Sequence, residues 1–245
     1  MITICFTYFK SLTLANLAAA LYSVRRQDLS RVKEIVIVDN DTADFAHEIR
    51  ITADTFAFPV PVRVLSFKHG DPSKTHAWST NRAVREATTP WVLFTRADYL
   101  LDFGLVKKFA QRTPNWNGFI TSNGCHLGIG VNECELTDWR QTGPKFTGVE
   151  FDYTVVDAGV WMARRDAIVA IGGLDERLTA WGHAQTDFQH RLHMSGVEFV
   201  RIPEVLFWHP AHGGEKNIDV AHAQLAGVGG DLKAMWARYE GPRIY

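Results

Sequence analysis

Side chains that could bind a ligand or transfer a proton follow several short apolar segments of the chain. They are Thr7 and Tyr8, Asp39 and Asn40, Asp98, and the polar residues from His183 to Asp187. Carboxylates and imidazoles in such places can take up a proton or hold a cation. His183 and Asp187 are four residues apart, so on a helix they would share a face and could act together. Asp187 could equally form an ordinary ion pair with Arg191.

The apolar pattern predicts strands that would bring these side chains together. Residues 34–38 form a nearly continuous apolar run, as in a strand buried on both faces of a parallel sheet. Further strands are predicted over 2–6, 62–67 and 91–95, and helices over 14–24 and 74–87. This alternation is typical of a doubly wound, mostly parallel α/β sheet, in which ligands bind beyond the carboxyl ends of the strands. Thr7, Asp39 and Asp98 are therefore expected to converge on one pocket.

Beyond residue 115 the pattern is less regular. Strands are predicted over 118–122, 155–162 and 205–208, with helices over 184–194 and in the tail after residue 219. The polar stretch 123–153 is predicted to be loop, and its Gly124, Gly128 and Gly130 to serve turns.

Composition and motifs exclude several classes of function. Lys and Arg number 26 against 27 Asp and Glu, a net charge of −1, so nothing indicates a nucleic-acid partner. A dinucleotide-binding fold would carry Gly-x-Gly-x-x-Gly after the first strand, where residues 7–10 read Thr-Tyr-Phe-Lys. A sugar-phosphate nucleotidyltransferase would need a Gly-rich, basic loop at the same place. Neither kind of enzyme fits the sequence.

Cysteine usage and length indicate a single cytoplasmic domain. The three cysteines lack metal-type spacing and fit reduced thiols rather than a disulfide framework. No basic residue precedes the first apolar stretch as in a secretory signal, and the apolar segment 12–24 is too short to cross a bilayer. The 245 residues, 46% of them hydrophobic, suit one domain spanning 1–245.

The order of the motifs resembles that of the family-2 glycosyltransferases over residues 2–209. Members have a Thr-Tyr-Asn-like turn after the first strand, an Asp after the second, an Asn-Arg helix, Asp-x-Asp, Gly-Gly-Phe-Asp-Glu, Trp-Gly-x-Glu-Asp-x-Asp-Leu before Arg-Leu, and a late His. The corresponding residues here are Thr7-Tyr8, Asp39, Asn81-Arg82, Arg96-Ala97-Asp98, Gly172-Gly173-Leu174-Asp175-Glu176, Trp181 to Phe188 with Arg191-Leu192, and His209. The resemblance implies a GT-A fold: an α/β domain with a mostly parallel central sheet flanked by helices. Residues 1–115 would bind the nucleotide, and residues 116–245 would bind the acceptor and end in a C-terminal helix.

The resemblance also implies roles for individual residues. Thr7, Tyr8 and Asp39 would contact the nucleoside, although Asp39 could instead cap the next helix. Asn81 and Arg82 would approach the donor, where Arg82 could pair with the diphosphate or remain a solvated helix residue. Substrate contacts are expected from the remaining matched positions, Trp181 and Gln185.

The chain departs from the family pattern at the cation site. The first carboxylate of Asp-x-Asp is replaced by Arg96, which leaves Asp98, and His209 could complete the site. Oxygen ligands suit Mn²⁺ or Mg²⁺, and the imidazole favours manganese. Such a cation would neutralise the departing diphosphate, but Arg96 could itself replace part of that charge.

The second departure concerns the catalytic base. Where relatives carry Glu-Asp this chain has Ala184 and Gln185, neither of which can accept the acceptor's proton. Asp187 and His183 are the nearest titratable candidates, with Asp187 acting as the base or orienting His183.

The resemblance thus predicts a metal-dependent transferase that moves a sugar from a nucleotide-diphosphate donor, a UDP-sugar, to an acceptor hydroxyl with inversion. A retaining mechanism stays open. So does a catalytically inactive module that binds a sugar nucleotide or a glycan. The acceptor, the sugar and the oligomeric state are not indicated by the sequence.

Overall fold

The first half of the chain alternates strand and helix as predicted. The computed structural model describes residues 1–9, 12–40, 46–67, 76–113, 116–130, 159–179 and 183–211, with the backbone alone at 125–130, 183 and 211. In order, the elements of the first half are β1 (Ile2–Phe9), α1 (Leu14–Arg25), β2 (Val32–Asn40), α2 (Ala46–Thr55), β3 (Val62–Phe67), α3 (His76–Glu86) and β4 (Trp91–Arg96).

The rest of the described chain adds two short helices, one helix of 12 residues, two short strands and two long strands. They are β5 (Leu100–Leu101), α4 (Leu105–Ala110), β6 (Gly118–Gly130), β7 (Trp161–Arg164), α5 (Arg165–Ala170), α6 (His183–Met194) and β8 (Glu198–Ala211). Helices α2, α4 and α5 have no counterpart in the sequence prediction. The predicted tail helix and residues 155–158 lie outside the described residues.

Among the described residues, strands from both halves form one eight-stranded sheet in the order β3-β2-β1-β4-β7-β6-β8-β5. Neighbours among β3, β2, β1 and β4 are parallel, as are β6 and β8. Strand β7 runs antiparallel to β4 and β6, and β5 runs antiparallel to β8. The prediction of a mostly parallel α/β sheet is confirmed, and the two reversed strands make it a mixed sheet.

Two apolar layers bury the faces of this sheet. Side chains of α1, α2 and α4 form one layer with Ile4, Phe6 and Tyr8 of β1. Side chains of α3, α5 and α6 form the other layer with Cys5. Because side chains alternate along a strand, consecutive residues at a strand end reach opposite faces of the sheet.

The prediction that residues 123–153 begin with a loop is wrong at its start, because β6 continues to Gly130. Gly124 pairs with Phe207 of β8, and a β-carbon at Gly124 would lie 2.4 Å from the Phe207 ring. The glycine therefore allows an aromatic ring to pack on the strand instead of serving a turn. Gly128 and Gly130 likewise lie within β6.

No helix among the described residues is both long enough and apolar enough to span a membrane.

Candidate functional site

Three parallel strands end side by side at one edge of the sheet. Strand β1 lies between β2 and β4, with Tyr8 opposite Asp39 and Thr7 opposite Arg96. The amide of Ala97 donates a hydrogen bond to the Thr7 carbonyl at 3.0 Å. Because neighbouring strands are about 4.8 Å apart, the ends of β1, β2 and β4 form one continuous edge, as the sequence predicted.

Tyr8 and Asp39 lie on the face covered by α1. The Tyr8 hydroxyl donates to the carbonyl of Leu12 at 2.9 Å. Burial raises the pKa of Tyr8 to about 12, and the Asp39 carboxylate adds to the rise. Asp39 is completely buried within β2, and α2 begins only at Ala46, so Asp39 does not cap that helix.

Thr7 reaches the opposite face and is also completely buried. Within the described structure its hydroxyl oxygen has no hydrogen-bond partner. A buried polar atom left unpaired costs about 1–3 kcal/mol, which a bound ligand or a water molecule at this position would recover.

A cluster of four polar and aromatic side chains follows β4. Arg96 donates to the Asp98 carboxylate at 2.6 Å and to the Tyr99 hydroxyl at 3.2 Å. His209 Nε2 lies 3.2 Å from the same Asp98 oxygen. The Arg96 guanidinium lies 4.9 Å from the centre of the Tyr99 ring, and the His209 ring meets that ring edge-on.

Strand pairing explains how residues so distant in sequence meet in this cluster. Leu100 of β5 pairs with Trp208 of β8, which sets the following His209 beside the preceding Tyr99. Asp98 and His209 are both buried, at 1% and 7% exposure. The second half of the chain thus supplies one side chain to the edge formed by the first half.

The donor chemistry of Asp98 and His209 is compatible with a divalent cation. A carboxylate oxygen and an imidazole nitrogen are ligands that manganese accepts. Among the described residues, no group of three or more His, Cys, Asp and Glu side chains could hold a metal. A cation here would therefore share Asp98 with Arg96 and draw its remaining ligands from a bound substrate or water.

Asn81 fastens α3 to the segment that follows α5. Its amide nitrogen donates to the Leu174 carbonyl at 2.9 Å and to Glu176 at 2.8 Å, and its oxygen accepts from the Leu174 amide at 2.8 Å. Arg82, the next residue, pairs with Glu86 one turn along the helix at 2.9 Å. Neither contact involves the cluster around Asp98, so the approach of Asn81 and Arg82 to a donor stays a prediction.

Helix α6 carries Gln185 and Asp187. Asp187 accepts from Arg191 Nε at 2.8 Å and lies 2.7 Å from its Nη2. The ion pair that the sequence left open as an alternative is therefore formed. Trp181 and the side chain of His183 lie outside the described residues.

Gln185 joins two side chains that the sequence prediction did not place in the site. It accepts from the indole N–H of Trp161 at 3.1 Å, and its amide nitrogen lies 2.7 Å from His76 Nε2. Trp161 is completely buried and stacks against Phe94. His76 could have been found from its place near the start of the predicted helix 74–87, at the carboxyl edge.

Two protein-family models match the sequence. Glycosyl transferase family 2 matches residues 3–156, more than half of the chain, and the model described as the N-terminal domain of galactosyltransferase matches residues 142–212. No curated protein sequence matches the chain.

Solved structures with the same fold include three complexes with nucleotides. GalNAc-T7 with UDP, GalNAc and Mn²⁺ aligns with 92% of this chain at 10% identity and a TM-score of 0.66. TarS 1–349 of S. aureus in complex with UDP covers 86% at 15% identity and 0.62. The Pyrobaculum calidifontis mannosyltransferase PcManGT, with GDP-Man and Mn²⁺, covers 92% at 14% identity and 0.59. The alignments span 47%, 60% and 60% of those chains, respectively.

Proposed function

This chain belongs to glycosyl transferase family 2, and from that membership we propose that it transfers a sugar from a nucleotide-diphosphate donor to an acceptor hydroxyl. The observation that carries the proposal is the parallel register of β1, β2 and β4, with Thr7, Asp39 and the Arg96–Asp98 segment along one edge. The UDP and GDP-Man complexes of structural relatives support a nucleotide donor. A uridine donor is our choice between them, because it follows from the motif resemblance.

We assign the nucleoside to the ends of strands β1 and β2, where Tyr8 and Asp39 lie on one face of the sheet and Thr7 on the other. The Asp39 carboxylate would accept a hydrogen bond from a base or ribose donor, and the Thr7 hydroxyl, which has no partner among the described residues, would gain one. The diphosphate would meet Arg96, and Arg82 after that residue leaves Glu86. Asn81 would act on the donor site indirectly, by holding the segment around Leu174 in place.

The charge of the departing diphosphate would be neutralised by a divalent cation and by Arg96 together. Asp98 and His209 would hold the cation, manganese rather than magnesium because one ligand is an imidazole nitrogen. Arg96 already places a permanent positive charge 2.6 Å from the Asp98 carboxylate. We therefore expect added manganese to accelerate the reaction without being an absolute requirement.

The reaction forms a bond from the acceptor oxygen to the anomeric carbon as the carbon–phosphate oxygen bond breaks, and the acceptor loses a proton. We propose inversion at that carbon, with Asp187 taking the proton or orienting His183 to take it. Asp187 would have to share its contact with Arg191 in this step. Trp181 and Gln185 would contact the sugars.

The proposed activity is tested by offering UDP- and GDP-sugars with a broad acceptor panel and detecting products by mass spectrometry. We expect release of the nucleoside diphosphate, and turnover reduced at least about tenfold by Asp39→Asn, since a hydrogen bond to a charged group contributes about 1.5–3 kcal/mol. Asp28→Asn is the control, because Asp28 is exposed and precedes β2 at the opposite edge. Binding without turnover would identify a non-catalytic module, and absence of both would contradict the proposal.

The proposed base is tested in the same assay with Asp187→Asn and His183→Ala. Asp166→Asn is the control, since it also breaks an Asp–Arg pair, but on exposed α5. Turnover should fall in at least one of the two test variants. Near-normal turnover in both would remove the assignment, and retention of the anomeric configuration in the NMR spectrum of the product would refute inversion.

A further inference from the structure

The orientation of the Gln185 side chain is fixed by Trp161. An indole N–H can only donate a hydrogen bond, so the Gln185 atom 3.1 Å from it must be the amide oxygen. The amide nitrogen of Gln185 is then the atom that lies 2.7 Å from His76 Nε2. All three side chains are held between helix α3, helix α6 and strand β7.

This orientation determines which ring nitrogen of His76 carries the proton. The Gln185 amide nitrogen is a donor, so His76 Nε2 must accept, and a neutral ring then has its proton on Nδ1. A protonated ring would set two donors against each other. Burial, and to a smaller extent the positive charge of Arg96, lowers the pKa of His76 to about 3, which agrees with a neutral ring.

His76 lies at the edge of the sheet where the donor would bind. It is the first residue of α3, and its ring centre is 5.8 Å from that of Phe9 at the end of β1. Its ring is 5.6 Å from Phe94, two residues before Arg96. Within the described structure, the buried Nδ1 atom has no hydrogen-bond partner. A buried donor without a partner is unfavourable and rare in native proteins.

We propose that Trp161 and Gln185 hold His76 as a neutral Nδ1–H hydrogen-bond donor to an oxygen atom of the bound nucleotide sugar. The oxygen belongs either to the diphosphate or to the sugar, which offer the same acceptor chemistry. His76 is then a binding residue, and Trp161 and Gln185 are positioning residues. The proposal rests on the proposed function for its ligand, but not for the state of the ring.

The state of the ring is measured on the wild-type protein by ¹H–¹⁵N NMR of its histidine side chains. The signal of His76 is assigned by its loss in His76→Asn. We expect the Nδ1–H form at neutral pH, and a contribution from the Nε2–H form in Trp161→Phe, where the Gln185 amide is free to turn over. An Nε2–H form or a protonated ring in the wild type would overturn the proposal.

The role of His76 in binding is tested with two substitutions, one that keeps a donor at the position of Nδ1 and one that removes it. In His76→Asn the side-chain amide takes the place of Nδ1–H, whereas in His76→Gln the amide oxygen takes the place of Nε2 and the donor at Nδ1 is lost. We expect His76→Gln to bind about tenfold more weakly, the value of one hydrogen bond, and His76→Asn to bind better than His76→Gln. His47→Gln on the exposed side of α2 is the control.

The titrations use UDP, GDP, UDP-GalNAc and GDP-mannose. Weaker binding of the free nucleotides by His76→Gln identifies a diphosphate oxygen, and weaker binding of the sugar nucleotides alone identifies a sugar oxygen. Equal affinities of the two His76 variants, or a weaker His76→Asn, would overturn the proposal. If the wild type binds none of the four ligands, the proposed function fails together with the ligand assigned to His76, while the NMR result still decides the state of the ring.

Discussion

At the scale of single residues, some buried polar groups of the site contact one another, and others make no hydrogen bond within the described structure. Asp98 accepts from Arg96 and lies beside His209, whereas the Thr7 hydroxyl and His76 Nδ1 have no partner within the described structure. Burying such atoms lowers stability unless something binds them. The distribution is what we expect of a site that is completed by its ligand.

Neutral, buried His76 should make the protein less stable in acid. Its pKa is about 3 in the folded protein and 6.5 ordinarily, so between these values the unfolded chain takes up a proton that the folded protein does not. The free energy of unfolding should therefore fall by about 1.4 kcal/mol per pH unit as the pH drops below 6.5. The free energy of unfolding is measured with urea for the wild type and His76→Gln between pH 4 and about 7. We expect the variant to lack the part of the pH dependence that His76 causes. Equal pH dependence in the two proteins would refute this prediction.

The sequence made Asp39, Asp98 and His209 candidates because each matches a motif position, but it could not predict which side chains they contact. Asp187 illustrates the reason: His183 and Arg191 are both four residues away, and only packing selects between them. The His76–Gln185 contact joins residues 109 positions apart. Contacts at such separation depend on the fold and leave no local pattern.

At the scale of elements, the predictions succeeded where burial leaves a clear pattern. Strands β1, β2 and β4 are largely apolar runs, because these parallel strands are covered on both faces. The continuation of β6 beyond residue 122 was missed because its glycines are also typical of turns. The Phe207 ring packed against Gly124 distinguishes a strand from a turn here. Phe207 belongs to a strand some 80 residues later in the chain, so its contact leaves no local pattern.

The turn after α5 is joined to helix α3 by the hydrogen bonds of Asn81. Two adjacent glycines in this turn allow a matched test of that contact. Gly172 and Gly173 both have positive φ, at 81° and 74°, but a β-carbon at Gly173 would lie 2.3 Å from Asn81 Oδ1, whereas one at Gly172 meets nothing within 4 Å. Gly172→Ala should cost about 1–2 kcal/mol for the backbone alone. Gly173→Ala should cost about 1–2 kcal/mol more, because it also displaces the Asn81 hydrogen bonds. Equal costs in urea unfolding would contradict this account.

At the scale of the whole molecule, the two halves of the chain share one sheet, and both contribute residues to the proposed site. The first half contributes β1, β2 and β4, and the second contributes His209 on β8 and Gln185 on α6. The chain spans 47% to 60% of the length of the three structural relatives described above. What it shares with them is the fold, and its proposed function depends on the edge where β1, β2 and β4 end.

A crystal structure with a nucleoside diphosphate and manganese bound tests most directly whether the nucleotide binds at this edge of the sheet. We predict the nucleoside against Thr7, Tyr8 and Asp39, and the phosphates beside Arg96 with the cation on Asp98 and His209. Density for the nucleotide at another edge of the sheet, or on either helical layer, would contradict the proposed site and with it the proposed function.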